Sequence, residues 1–255
     1  MPITLTRREE FAILTIDRQE ALNALSFSLI AELEARLDEV AKSDARALLI
    51  VGAGQKAFCA GADVTELVGL PAESHRQGVE FGQRVFSRLE TLPIISIALI
   101  NGYAFGGGLE LALSCTFRLA TANAKVGLPE IKLGLIPGYG GTQRLPRVIG
   151  EARAMDMILS GRTVGAEEAL QFGLVSRLVE GDPIEAGMAY ARQFTQHSLT
   201  TLRLARSAVQ RAQSTPLHEG LKIEADLSTV ACQTADAVEG MNAFVAKRKA
   251  EFKDR

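Results

Sequence analysis

Asn101-Gly-Tyr-Ala-Phe-Gly-Gly-Gly-Leu-Glu110 decides the reading of this chain. The dense apolar run at residues 94–100 before it reads as a buried strand, and residues 106–114 read as the start of a helix. Three glycines at that turn leave backbone N–H groups unshielded by any Cβ, so those groups can be offered to a developing negative charge. Such a run also costs conformational entropy, and we read it as a functional approach of the backbone. Glu110 follows on the first helical turn, flanked by Leu109, Leu111 and Leu113. A second carboxylate stands in Gly127-Leu-Pro-Glu130, among Val126, Leu128, Ile131 and Leu133. Two carboxylates in apolar surroundings are expected to have raised, coupled pKa values suited to proton transfer near neutrality.

Working outward, residues 11–16, 47–51, 117–120 and 124–126 read as strands. Ser26 reads as the N-cap of a helix to about Lys42, with Leu29, Ile30, Leu33, Leu37 and Val40 on one face. Residues 72–92 read as a helix stopped by Pro93, behind a polar segment holding Pro71 and His75. Residues 52–61 read as loop. Beyond Gly140 the periodicity is helical at 141–149, 151–160, 166–172, 184–197, 199–213, 217–231 and 235–249. Strand–helix alternation followed by helices implies an α/β core with a helical C-terminal part. The apolar set Leu217, Leu221, Ile223, Leu227 and Val230 fits either an intersubunit face or ordinary intrachain core, and periodicity leaves both open.

Composition excludes several classes. The chain has 255 residues, 47% hydrophobic and 23% charged, with a net charge of −2, so no global attraction to nucleic acid or anionic membrane is expected. Cys59, Cys115 and Cys232 are odd in number and form no cluster with His75, His197 and His218, which argues against a disulfide framework or a zinc site. The opening residues lack the apolar core of a secretory leader, and no apolar run is long enough to span a bilayer. A cytoplasmic location without a membrane partner is the expectation.

Three further motifs carry less. Gly52-Ala-Gly-Gln-Lys-Ala57 fits the dinucleotide fingerprint G-x-G-x-x-A, but that fingerprint requires a helix to open there, and Phe58-Cys-Ala-Gly61 is poor helix sequence. Ala57-Phe-Cys-Ala-Gly-Ala-Asp63 admits close approach of a ligand to the backbone or a plain tight turn. Cys59 within it reads as a packed thiol, not a nucleophile. Gly134-Leu-Ile-Pro-Gly-Tyr-Gly-Gly-Thr-Gln-Arg144 enters a helix whose N-terminus could hold an anion or direct an N–H at a water.

Together, and in this order, these segments resemble the crotonase superfamily, the enoyl-CoA hydratase/isomerase family. The resemblance runs from Asp17-Arg-Gln-Glu-Ala-Leu-Asn-Ala-Leu25 through the motifs above to Glu239-Gly-Met-Asn-Ala-Phe-Val-Ala-Lys-Arg-Lys249. It implies a spiral of repeated β-β-α units at residues 1–197, carrying the CoA and catalytic sites, and a helical region at 198–255 that makes trimers, with hexamers as pairs of trimers. It further implies an oxyanion hole from the N–H groups of Ala62 and Gly107, holding an acyl-CoA thioester. Glu110 and Glu130 would hold one water with help from the Gly138 N–H, Glu110 acting as base and Glu130 protonating Cα. The outcome is syn hydration of a trans-2-enoyl-CoA with no metal or redox cofactor.

The same resemblance places the CoA adenine near Ala60, with Lys56 and Arg18 as basic candidates and Phe244 and Lys247 arriving from a neighbouring subunit. Thr65 stands where many relatives carry a phosphate-binding lysine, and Gln19 where a proline is common. Tyr139 replaces a common alanine beside Gly138 and is expected to narrow the acyl pocket. The nearest alternative is a Δ3,Δ2-enoyl-CoA isomerase, which can work with one carboxylate. Dehalogenase, decarboxylase and thioesterase members use the same oxyanion scaffold with other acid–base residues. An RNA-binding relative finds support only in Lys247-Arg-Lys249, and the complete constellation argues against a non-catalytic subunit.

Overall fold

The computed structural model describes residues 2–255. They form two compact units, one reaching Ala189 and one spanning Tyr190–Arg255. The first unit opens with Ile3–Arg8 (β1), Phe11–Ile16 (β2), Phe27–Lys42 (α1) and Ala47–Gly52 (β3). Ala57–Cys59 (β4), Ala72–Thr91 (α2), Ile95–Ile100 (β5), Tyr103–Phe105 (β6) and Gly107–Ser114 (α3) follow. Then come Phe117–Thr121 (β7), Lys125–Gly127 (β8), Gly141–Ile149 (α4), Glu151–Ser160 (α5), Val164–Gly165 (β9), Ala166–Gln171 (α6) and Arg177–Val179 (β10). Pro183–Thr195 (α7) crosses the boundary, and Leu199–Ala212 (α8), Leu217–Cys232 (α9) and Ala235–Val245 (α10) complete the second unit.

The strands make a six-stranded sheet, ordered β1-β2-β3-β5-β7-β10, and a four-stranded sheet, ordered β4-β6-β8-β9. From β3 to β8 the chain alternates between them, one strand in the large sheet and the next in the small. Helices α2 and α3 close successive turns, so the winding is a repeated β-β-α unit. Pairing is parallel except for β1 with β2 and β8 with β9. Strands β3 and β5 are buried along their whole length, as parallel strands covered on both faces must be, which explains their unbroken apolar sequence.

Ser26 caps α1 as expected, its hydroxyl accepting from the Leu29 N–H at 3.1 Å, and the apolar stripe from Leu29 to Val40 is buried. Asn101, the first residue of the deciding stretch, ties the end of β5 to the loop after β3. Its side chain donates to the carbonyls of Gly52 at 2.7 Å and Gly54 at 2.9 Å.

Some expectations need correction. Residues 52–61 are not all loop, because β4 lies within them. A strand, not a helix, therefore opens at Ala57, and the dinucleotide fingerprint fails. Gly52 has another reason: a Cβ there would stand 2.3 Å from the Ala57 carbonyl oxygen. Strands β1, β6, β9 and β10 carried no legible signal. Helix α9 fully buries none of its residues: Ile223 and Leu227 are half-buried, while Leu217, Leu221 and Val230 are each more than half exposed.

Candidate active site

Glu110 is 1% exposed on the first turn of α3. One oxygen, Oε1, accepts two backbone hydrogen bonds, from the Tyr139 N–H at 2.8 Å and the Gly141 N–H at 2.7 Å. Glycine at 141 eases this approach, because a Cβ there would lie 3.0 Å from that oxygen, tighter than ordinary contact. Burial pushes the Glu110 pKa up to about 7. The Gly141 N–H opposes this rise, the charge of Glu130 adds to it, and the Tyr139 N–H opposes it again.

Glu130 sits on a 3₁₀ turn, Pro129–Leu133, and is half-buried. Its Oε2 is buried and has no hydrogen-bond partner among the described residues. Burial raises its pKa, with a local backbone N–H pulling the other way. Its expected apolar shell is one-sided: Val126 and Leu128 are buried, but Ile131 is 41% and Leu133 60% exposed.

The three glycines have three different reasons. Gly106 has φ +50°, and a Cβ on it would lie 2.9 Å from Glu130 Oε1. A Cβ on Gly107 would stand 3.4 Å from the Ala62 nitrogen, the other expected donor. A Cβ on Gly108 would stand 1.9 Å from the Cys59 carbonyl oxygen, which is a packing requirement of α3 against β4. The run is thus part site and part packing, where the sequence suggested site alone.

The Ala62 N–H is presented by Leu25. The Leu25 N–H donates to the Gly61 carbonyl and its carbonyl accepts from the Asp63 N–H, both at 2.8 Å. In extended backbone the intervening N–H then points away from Leu25. The Gly107 N–H belongs to the first turn of α3, where no intrahelical acceptor exists. Each donor follows a glycine in the left-handed region, Gly61 at φ +116° and Gly106 at φ +50°. Those glycines set the direction of the next peptide, which an L side chain would strain.

Both glutamates, Ala62, Gly107, Gly138 and Ala60 line one cavity of about 720 Å³. Gly138 is fixed by its carbonyl, which accepts from Gln83 Nε2 at 2.8 Å. Tyr139 also lines the cavity while only 6% exposed, its ring edge-on to Phe86 at 5.4 Å. A Cβ on Gly82 would lie 2.4 Å from that ring.

The residues expected to meet coenzyme A are less uniform. Ala60 lines the cavity and donates to the Leu22 carbonyl at 3.0 Å. Arg18 pairs with Asp63 at 2.8 Å and also donates to the Ala24 carbonyl at 3.3 Å. Thr65 donates to the same Asp63 at 2.6 Å, and these bonds from Thr65 and Arg18 hold the Asp63 carboxyl below its usual range. Lys56 is exposed and outside the cavity lining. Phe244 and Lys247 belong to the second unit, Phe244 on α10 and 86% exposed, Lys247 just beyond it. Cys59 is fully buried and its thiol is pushed up to about 12, a packed group.

Reading the sequence gave no individual site role to His75, Arg76, Gln83 or Gln143, although all four line the cavity. One signal was present. Gly78 and Gly82 lie inside α2, where glycine costs about 1 kcal/mol against alanine and so marks a close approach. Gly78 makes room for Phe27 and Gly82 for Tyr139.

The enoyl-CoA hydratase/isomerase family model matches residues 6–255. A crotonyl-CoA hydratase of Syntrophomonas wolfei is 39% identical over 253 residues, covering 98% of this chain and 97% of its own. A probable enoyl-CoA hydratase of Rhizobium meliloti is 43% identical over 244 residues, 95% of this chain and 94% of its own. The crystal structure of enoyl-CoA hydratase from Bacillus anthracis superposes with a TM-score of 0.94 at 37% identity, covering 100% of both chains.

Proposed function

This chain belongs to the enoyl-CoA hydratase/isomerase family, and from that premise we propose that it is an enoyl-CoA hydratase, adding water to a trans-2-enoyl-CoA to give the 3-hydroxyacyl-CoA. The observation that carries this is two carboxylates sharing one cavity with the Ala62 and Gly107 N–H groups. The thioester oxygen accepts from both N–H groups. As the C–O bond forms at Cβ, charge moves through Cα onto that oxygen and both hydrogen bonds strengthen. One such donor is typically worth about 3–4 kcal/mol in the transition state.

Glu110, ionised, takes a proton from water as its oxygen bonds to Cβ. Glu130, protonated and with its Oε2 short of a partner, gives a proton to Cα. One water is added, one O–H bond breaks, and the carboxylate pair carries one proton before and after. No electrons leave the substrate, so this step requires no redox cofactor. Burial of Glu110 supports the base role, since a pKa of about 7 keeps it half-ionised at neutral pH while making it a stronger base than a free carboxylate.

The reading extends to a cytoplasmic oligomer. Among the described residues no helix is long and apolar enough to cross a membrane. Leu217, Leu221 and Val230 on α9, and Val238, Met241, Phe244 and Val245 on α10, are each more than half exposed. Such apolar helices support burial in a trimer or hexamer, where Phe244 and Lys247 would reach a neighbour's nucleotide. Arg18 would meet coenzyme A only with the donors that Asp63 leaves open. Loss of the conjugated-thioester absorbance of crotonyl-CoA tests the reaction. Hydration faster than isomerisation of a 3-enoyl-CoA is expected; the reverse ranking would make the protein an isomerase.

A further inference from the structure

We propose that Arg144 is a positioning residue for Glu110, acting through the Tyr139–Gly140 peptide and anchored on α2 by Glu90 and Ser87. The inference rests on Glu110 being the acid–base group proposed above.

Glu110 is held by two N–H groups, those of Tyr139 and Gly141. These belong to the peptides 138–139 and 140–141. The peptide between them, 139–140, is held by Arg144 instead: its carbonyl accepts from Arg144 Nη1 at 2.8 Å. A peptide is planar, so fixing the middle one restricts the rotation of both neighbours. The directions of both N–H groups therefore depend on where Arg144 holds the Tyr139 carbonyl.

Arg144 is itself fixed. Its Nε donates to Glu90 Oε1 at 2.5 Å and its Nη2 to Ser87 Oγ at 3.1 Å, both on α2, and the side chain is only 14% exposed. The guanidinium lies against the backbone of Gly140, where a Cβ would stand 2.1 Å from Nη1. Gly140 at φ +111° both makes the turn and leaves room for that guanidinium. The preceding peptide is braced from α2 as well, by the bond from Gln83 to the Gly138 carbonyl. Three donors in a rigid fork match three acceptors on two elements, which lysine cannot do. The positive charge also favours the ionised form of Glu110, though less than the two N–H groups do.

The test compares wild type, Arg144→Gln and Arg144→Lys in crotonyl-CoA hydration over pH, with amide hydrogen exchange across residues 138–141. In Arg144→Gln we expect kcat to fall about 10- to 100-fold, the scale of a small misplacement of a catalytic group, with KM little changed. The acid limb of kcat/KM should move to higher pH, because lost positive charge favours protonated Glu110, and the Tyr139 and Gly141 amides should exchange faster. Arg144→Lys should restore the pH limb and not kcat. A folded Arg144→Gln with wild-type kcat, pH profile and exchange would overturn the proposal. Should that variant not fold, wild-type kcat in Arg144→Lys would do the same. If the wild type does not hydrate crotonyl-CoA, the functional reading fails separately, and unchanged amide exchange in either folded variant would still refute the brace.

Discussion

Burial of Glu110 couples chemistry to stability. Its folded pKa of about 7 lies above the ordinary 4.5, so the native state binds its proton more tightly than the unfolded chain does. Stability from this group is present below the unfolded value and declines as pH rises from about 4.5 through 7. Each tenfold difference in proton affinity is worth about 1.4 kcal/mol, so the cost at pH 8 is on the order of 3 kcal/mol. Glu110→Gln retains an acceptor for the two N–H groups and carries no charge. It should therefore unfold at a higher temperature than wild type at pH 8, with the difference vanishing near pH 4.5. A thermal melt that favours wild type at pH 8 would contradict this. With the proposed base role, a pH–rate profile of the wild type should show hydration falling as pH drops below about 7, because protonated Glu110 cannot accept water's proton.

The glycine run allows a second comparison at this scale. Gly108→Ala drives a Cβ into the backbone of Cys59, which cannot give way, and should cost about 2 kcal/mol or more of stability. In Gly107→Ala the nearest atoms are side-chain atoms of Leu25 and Tyr139 at 3.2 Å, which need give only a few tenths of an ångström, so the fold should survive. Its methyl stands beside the Ala62 nitrogen and should lower kcat/KM about 100-fold, as expected for a compromised oxyanion hole. Melting curves and kinetics on the two variants separate packing from catalysis. Glu110 was legible because α3 is buried all round, so the leucines beside it in sequence mark a helix without a solvent face. Arg144 was not legible, since its meaning depends on acceptors at Ser87, Glu90 and Tyr139 that only the folded chain brings together.

At the scale of elements, strands and helices with a strong period were readable. The α1 stripe and the apolar runs of β2, β3 and β5 appear where periodicity placed them. Strand β1 escaped because it is an edge strand burying only Ile3, so Ile3-Thr-Leu-Thr-Arg-Arg8 has no continuous apolar face. Strands β4, β6, β9 and β10 are two or three residues long, too short to show a period of two. Helix α2 has a further role in holding Tyr139. The ring fills space between Gly82, Phe86 and Gly107, at the position expected to narrow the acyl pocket. Tyr139→Ala should shift preference toward longer acyl chains and cost about 3 kcal/mol in stability, as large-to-small changes at buried aromatic sites do. An activity series over chain length that kept the wild-type optimum would refute the narrowing.

At the scale of the whole molecule, the first unit gathers both glutamates and the Ala62 and Gly107 N–H groups in one cavity, and the second is helical and rich in exposed apolar residues. Leaving Phe244 and Val245 more than four-fifths exposed in a soluble monomer would be unfavourable, at about 25 cal/mol per Å² of apolar surface. Light scattering at micromolar concentration should give a trimer or hexamer, and a monomer would refute the cross-subunit roles of Phe244 and Lys247. If the assembly forms, Phe244→Ala should raise KM for acyl-CoA more than it lowers kcat, because it would touch the nucleotide end and not the reacting atoms. The helical character of this unit was legible from periodicity. Its exposure was not, because a stripe facing another subunit and a stripe facing the chain's own core have the same pattern.

Hydration of crotonyl-CoA by Glu110→Gln and Glu130→Gln, followed beside wild type, tests the two-carboxylate site most directly. Each variant should lose about 100-fold or more in kcat while still binding the acyl-CoA, as removal of a general acid or base predicts. Near wild-type turnover in either variant would show that its carboxylate carries no proton in the reaction and would contradict the assignment.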